Sequence, residues 1–251
     1  MDVKDKVVLI TGGGQGIGRS YALAFAQAHA KVVIFDTHAQ NGAAVAEHIQ
    51  TLGGQTLFFQ CDVAHPDAVR QALQSVKSHW GPVQVLINNA AIFVTLGRQA
   101  FEDIPLAEWE QVMRVNVTGS WVCASAVAAD MKRAQWGRII QISSSTVPLG
   151  TPMFMHYVTS KSAVIGMTRA MATELGPHGI TVNCVLPGLT DTEVDNPGRT
   201  DAMRQKIIDM QCLKRIGRPD DMVGTMLFLA SDASAFVTGQ SIAVDGGSVF
   251  L

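Results

Sequence analysis

Net charge, long apolar runs, patterned cysteines and compositional breaks are all scarce in this 251-residue chain, and each absence removes a class of function. Lysine and arginine number 19 against 21 aspartates and glutamates, a formal charge of −2 at pH 7. That balance offers no electrostatic basis for holding nucleic acid or an anionic membrane. No apolar run approaches the roughly 18 residues of a membrane span, and the opening MDVKDK leads into a strand-like stretch without an apolar signal segment. Cysteine is confined to Cys61, Cys123, Cys184 and Cys212, widely spaced and in no metal-ligand pattern. Three of the four lie in apolar stretches, where a thiol acts as a small hydrophobe. Inert thiols, no metal and a reducing cytoplasm are therefore expected. With no low-complexity linker, repeat or composition shift, one domain over residues 1–251 is the simplest organisation.

What is present is apolar substance, 47% of residues against 16% charged, enough for a large core. Short β-branched runs at 6–11, 31–36, 56–62, 83–89, 137–143, 181–186 and 241–244 are apolar throughout rather than alternating. Strands covered on both faces of a parallel sheet have that character. Helical stretches near 17–28, 39–52, 66–80, 107–133, 155–175 and 219–230 separate them. Pro66 and Pro219 stand at helix starts, and Gly176-Pro177 ends the helix begun at 155. Repeated strand–helix–strand units predict an α/β fold: a doubly wound, mostly parallel seven-stranded sheet with helices on both faces. Segment 187–218 is too long for an ordinary connection, and its polar TDTEVDNPGRTD centre predicts a substrate lid.

The first strand runs into GGGQGIG at 12–18 and then into a helix. In that context glycines permit a tight turn and let backbone approach a diphosphate lying at the helix N-terminus. Asp36 closes the second strand, 20 residues after Gly16. A carboxylate there can accept hydrogen bonds from the adenosine ribose, though a turn or cap role is the plainer alternative. Neither Gln15 nor Thr37 brings a cation for a 2′-phosphate, so NAD is favoured over NADP. Asp62-Val63 closes the third strand within reach of an adenine edge, or caps the helix at Pro66. NNAA at 88–91 ends the fourth strand with small residues that let a cofactor lie close.

Tyr157 and Lys161 lie four apart in MHYVTSKSAV and so share a helix face. With TGGGQGIG, Asp36, Asp62-Val63, NNAA, Asn116, ISSS, PGLTDT and the terminal VDGG, they make the chain resemble a short-chain dehydrogenase/reductase from about residue 5 to 248. The resemblance implies Tyr157 as general acid/base, Lys161, Ser144 (thirteen residues before the tyrosine) and Asn116 as catalytic residues. It implies cofactor contacts from Thr11, Gly12, Gln15, Gly16, Ile17, Gly18, Asp36, Asp62, Val63, Asn89, Tyr157, Lys161, Pro187, Gly188, Thr190 and Thr192. Ala91 replaces a usual glycine, and Thr190 a usual β-branched aliphatic, which leaves only local packing there in question. It further implies a homotetramer built through the long helices.

A phenol titrates near pH 10, too high for proton transfer near neutrality. A fixed cation nearby, with the positive nicotinamide of NAD, favours phenolate and lowers that value. Lys161 can also hold the nicotinamide ribose, Ser144 can bond the substrate oxygen, and Asn116 can hold a water that links Lys161 to solvent. The expected activity is hydride transfer between NAD(H) and a secondary alcohol or ketone. Its substrate pocket is expected from Val94, Thr146, Met153, Met155 and Leu189 and their neighbours, apolar enough for a hydrophobic or cyclic small molecule. His156 invites comparison with a serine–histidine hydrolase, but no G-x-S-x-G elbow is present and it is read as packing or pocket rim. A 3-oxoacyl-thioester reductase is the alternative enzyme, and a non-catalytic dinucleotide-binding protein the alternative from another class.

Overall fold

Among the described residues, 1–194 and 200–251, the computed structural model has a single seven-stranded sheet between two layers of helices. Its strands are β1 (Val7–Thr11), β2 (Lys31–Asp36), β3 (Gln55–Gln60), β4 (Val85–Asn88), β5 (Gly137–Ile142), β6 (Ile180–Pro187) and β7 (Ser241–Val244). They lie in the order β3-β2-β1-β4-β5-β6-β7, and every neighbouring pair is parallel. The unbroken apolar runs are explained by burial on both sides. Val8, Ile10, Val32 and Ile34 pack into one core, with α1 (Gly16–Gln27), α2 (Ala39–Thr51) and α8 (Asp220–Ala230). Val7, Leu9, Val33 and Phe35 face the other, with α3 (Pro66–Trp80), α5 (Ser120–Ala134) and α6 (Met155–Leu175). Burying each such side chain stabilises the fold by about 1.5–3 kcal/mol.

Strand order reverses between β1 and β4. At such a switch point the connections leave in opposite directions and open a crevice beyond the carboxyl ends of the strands. Those ends carry the Thr11–Gly12 turn, Asp36, Asn88–Asn89, the Ser143–Ser145 run and Pro187.

Three local features refine or depart from expectation, the end of α6 at Leu175 falling where it was expected. The stretch 107–133 is not one regular helix: α4 (Leu106–Met113) passes through a wide turn of π-helix at Arg114–Gly119 into α5. The chain after α6 continues through Gly176 and Pro177 as a 3₁₀ turn and stops at Gly179, whose φ of +69° suits glycine. Segment 187–218 holds a helix, α7 (Asp201–Met210), started by Thr200, whose hydroxyl accepts a hydrogen bond from the Met203 N–H. The predicted lid centre falls in part on residues 195–199, outside the described residues.

Candidate active site

The glycine-rich turn is tied to its neighbours on both sides. The Gly12 N–H donates to the Phe35 carbonyl at 2.7 Å. The Asn89 side-chain amide donates to the Thr11 and Gly12 carbonyls at 3.0 Å each, and the Thr11 hydroxyl accepts from the N–H groups of Asn89 and Ala90. Close approach makes glycine obligatory at 18, where a Cβ would stand 2.1 Å from the Gly12 carbonyl oxygen. Ile17, partly buried, packs against the core beneath.

Asp36 is buried, and both its oxygens are held: one accepts from the Gly14 N–H at 2.8 Å, the other from the His38 N–H at 2.9 Å. The imidazole of His38, exposed, lies 3.5 Å away, a neighbour that motif reading passed over. Gln15 points its carbonyl oxygen at the Asn41 amide. Asp62 is used locally, accepting from the Ala64 N–H at 2.9 Å and meeting the His65 ring at 3.0 Å; the helix at Pro66 has His65 at its cap position and no side-chain cap bond, so the capping role weighed for Asp62 is not the one it takes. Val63 is buried so close to Gly119 that a Cβ there would stand 2.6 Å away. Gly188 is pressed equally close to Asp245, and Thr190, in the place of an aliphatic residue, satisfies its hydroxyl on the Gly188 carbonyl at 3.1 Å.

The three serines beyond β5 separate by partner. Ser143 donates to the Lys161 carbonyl at 2.8 Å, and Ser145 to the Asp245 carboxylate at 3.0 Å. Only Ser144 turns its hydroxyl to Tyr157, within hydrogen-bonding reach. The Thr146 hydroxyl and N–H both donate to Ser144 Oγ, at 3.0 and 3.2 Å. With its lone pairs taken, Ser144 keeps its proton free to give, a function of Thr146 that the sequence did not suggest.

Tyr157 and Lys161 are buried on one face of α6. The Lys161 ammonium donates to the Ile142 carbonyl at 2.8 Å and stands 5.7 Å from the Tyr157 ring centre. The chain's own groups act on the phenol in opposite directions. Burial pushes Tyr157 up from its ordinary value, and the Ser144 hydrogen bond offsets this only in part. Burial also lowers Lys161, to about 8, so its ammonium is still mostly protonated at pH 7.

Asn116 sits inside the wide turn between α4 and α5. Its side chain accepts from the Ile92 N–H at 2.8 Å and donates to Ser160 Oγ at 3.0 Å, and Ser160 in turn donates to the Tyr157 carbonyl at 2.7 Å. These contacts tie the post-β4 loop to the tyrosine's own helix turn. π-Helical turns concentrate at functional sites.

Around the phenol the lining is aromatic. Phe154 and Phe93 stand 4.9 and 5.0 Å from the Tyr157 ring, and the Arg98 guanidinium lies 4.4 Å over Phe154. Phe154 is buried while its neighbours Met153 and Met155 are exposed, so the predicted methionine lining falls at the rim. Val94 and Thr146 are half-buried. Leu189 lines a cavity of about 190 Å³ with Gln211, Leu213 and Met222, bounded by neither Ser144 nor Tyr157. His156 is buried, its Nε2 3.0 Å from Glu108 Oε1 and its ring edge-on to Phe154, as a packing residue would be.

Above the turn, Glu193 Oε1 accepts from the Gly16 N–H at 3.1 Å and from Arg19 at 3.2 Å, while Val194 and Thr192 lie over Gly16. Burial pushes the Glu193 carboxyl up, but backbone N–H donors and Arg19 hold it below the ordinary carboxylate range. An N–H at the start of α1 that already holds an anionic oxygen, beside a buried carboxylate 20 residues on, is a donor and acceptor set that fits a dinucleotide. Among the described residues no helix is long and apolar enough to cross a membrane, and no three His, Cys, Asp or Glu side chains are grouped to hold a metal ion.

Comparison with known proteins agrees along the whole chain. A family model described as "Enoyl-(Acyl carrier protein) reductase" matches residues 12–249. A Rhizobium meliloti protein named "Probable galactose dehydrogenase" is 39% identical over 98% of this chain and 96% of its own. The 3-oxoacyl-[acyl-carrier-protein] reductase of Staphylococcus epidermidis is 36% identical over 97% and 98%. Among solved structures, a short-chain type dehydrogenase/reductase from Mycobacterium marinum superposes with a TM-score of 0.91 at 38% identity, covering 100% of this chain and 98% of the other. The chain belongs to the short-chain dehydrogenase/reductase family, whose members are oxidoreductases that bind a nicotinamide dinucleotide.

Proposed function

We propose that the protein is an NAD-linked oxidoreductase interconverting a secondary alcohol and its ketone, with Tyr157 carrying the hydroxyl proton. One observation carries the reading most: Tyr157 meets Ser144 at a buried, aromatic-lined place, with Lys161 on the same helix face. Bound at the switch point, NAD would supply the hydride acceptor and NADH the donor.

The chain's own groups do the rest. Asp36, aimed by two backbone N–H groups, accepts from the adenosine ribose hydroxyls, with Thr11, Gly12, Ile17, Gly18, Asn89, Pro187 and Thr192 shaping the bed beneath the coenzyme. Ser144, its lone pairs held by Thr146, donates to the substrate oxygen and steadies charge developing there. Tyr157 Oη takes the substrate's hydroxyl proton in oxidation and returns it in reduction. Lys161, when protonated, favours the phenolate and opposes the effect of burial. Asn116 and Ser160 position the tyrosine's helix turn.

The substrate read from the lining is a small hydrophobic or cyclic molecule, resting against Phe93 and Phe154. A second reading, reduction of a 3-oxoacyl thioester, draws support from the relatives that bear that name. A homotetramer in the cytoplasm completes the proposal, with Trp121, 56% exposed on α5, suited to a subunit interface. Purified protein screened against alcohols, ketones and an acetoacetyl thioester, with NAD(H) and NADP(H), tests it. Turnover of apolar secondary alcohols with NAD supports the first reading. Turnover of the thioester alone, with NADPH, selects the second, and no turnover with any pair leaves a dinucleotide-binding protein without chemistry.

A further inference from the structure

We propose that Glu193 occupies, as part of the chain, the place a coenzyme diphosphate would take at the start of α1, and that Arg19 is a further coenzyme-binding residue, passing from Glu193 to that diphosphate. The inference rests on the dinucleotide reading above. Gly16 is the first residue of α1 and has a φ of +57°. Its N–H is one of the donors a helix start leaves without an intrahelical partner, in the field that favours an anion. In this structure the partner is Glu193 Oε1 at 3.1 Å, and the same oxygen takes Arg19 Nη1 at 3.2 Å. Val194 Cγ2 lies 3.3 Å from where a Gly16 Cβ would be, so the segment after Thr192 presses on the turn itself.

A carboxylate and a diphosphate cannot share one N–H and one guanidinium, because the two anions would meet at hydrogen-bonding distance. Binding of a diphosphate therefore displaces Glu193 and leaves Arg19 free to pair with the newcomer, a geometry guanidinium accepts well. The pair is built to yield. Its side chains are 46% and 48% exposed, and ion pairs so placed are weak. Glu193 thus sets coenzyme affinity by competition without touching the reacting atoms.

Isothermal calorimetry with the full chain tests this, using NAD, ADP-ribose (diphosphate without nicotinamide) and adenosine (no diphosphate) as probes. Glu193→Gln and Glu193→Ala should each tighten NAD and ADP-ribose about three- to tenfold and leave adenosine unchanged. Adding Arg19→Gln to Glu193→Gln should then weaken ADP-ribose at least threefold, since the competitor is already gone. Equal or weaker ADP-ribose binding by both Glu193 variants overturns the competition. An unaltered affinity in the double variant overturns the role of Arg19. If the parent binds neither NAD nor ADP-ribose, the dinucleotide reading falls and takes this inference with it; binding that does not change between variants removes this inference alone.

Discussion

Replacing Lys161 with methionine should make the protein more stable at neutral pH while abolishing its activity. The lysine is buried, and burial brings its ammonium from the usual 10.5 to about 8. In the unfolded chain the group binds its proton more tightly than in the folded one. Between pH 8 and 10.5 the unfolded state therefore holds more protons, and stability rises with pH across that window. Below pH 8 the full penalty applies, on the order of 3 kcal/mol. Methionine removes the charge and keeps the length. It also strands the Ile142 carbonyl, which now accepts from Nζ at 2.8 Å, at a cost of about 1–2 kcal/mol. The net gain near pH 7 is about 1–2 kcal/mol, or roughly 2–8 °C in Tm for a chain of this size. Calorimetric melts of parent and variant at pH 7 and pH 10.5 read both the sign and its loss. The reasoning fails if the variant melts below the parent at pH 7, or if the gap between them is the same at both pH values.

On the proposed NAD-linked reading, coenzyme choice turns on Asp36. A 2′-phosphate brings about −1.5 to −2 charges against a carboxylate already held by Gly14 and His38. About 3 kcal/mol of discrimination corresponds to more than about a hundredfold preference for NAD. Asp36→Ala with Thr37→Arg should shift the preference towards NADP; equal kcat/KM for both coenzymes in the parent would remove Asp36 from its assigned role. Thr146→Val deletes one of the two donors to Ser144, so kcat should fall about 5- to 30-fold with little change in the Kd for NAD. An unchanged kcat would mean that Ser144 needs no such orientation.

The sheet was legible because its inner strands are buried on both faces and so announce themselves without alternation. The helix breaks were less so. Nothing in the residues from 107 to 133 marks the wide turn at Arg114–Gly119, because a single π-helical turn inside a helix leaves the apolar pattern on either side intact. α7 was hidden by its short length beside the polar TDTEVDNPGRTD stretch: Met203, Ile207 and Met210 do recur at helical spacing, but none of its side chains is fully buried. At the site, residue identities were readable from spacing, and their partners were not. Phe93, Ser160 and Glu193 act through contacts between segments far apart in sequence, which only the folded chain brings together, while Thr146 reaches Ser144 through a local turn that spacing does not reveal. The burial of Tyr157 was not readable for the same reason: a helix face gives the neighbour at i+4, but the aromatic wall comes from Phe93 and Phe154.

The most direct test of the chemistry is the Tyr157→Phe variant, assayed on whichever alcohol–ketone pair the parent turns over. It keeps the ring between Phe93 and Phe154 and removes only the hydroxyl. Turnover should fall by at least about 10²–10⁴-fold, while calorimetric affinity for NAD stays within about threefold of the parent and the Tm does not drop. Turnover within a few-fold of the parent, in a variant that still binds NAD, would contradict Tyr157 as the proton carrier.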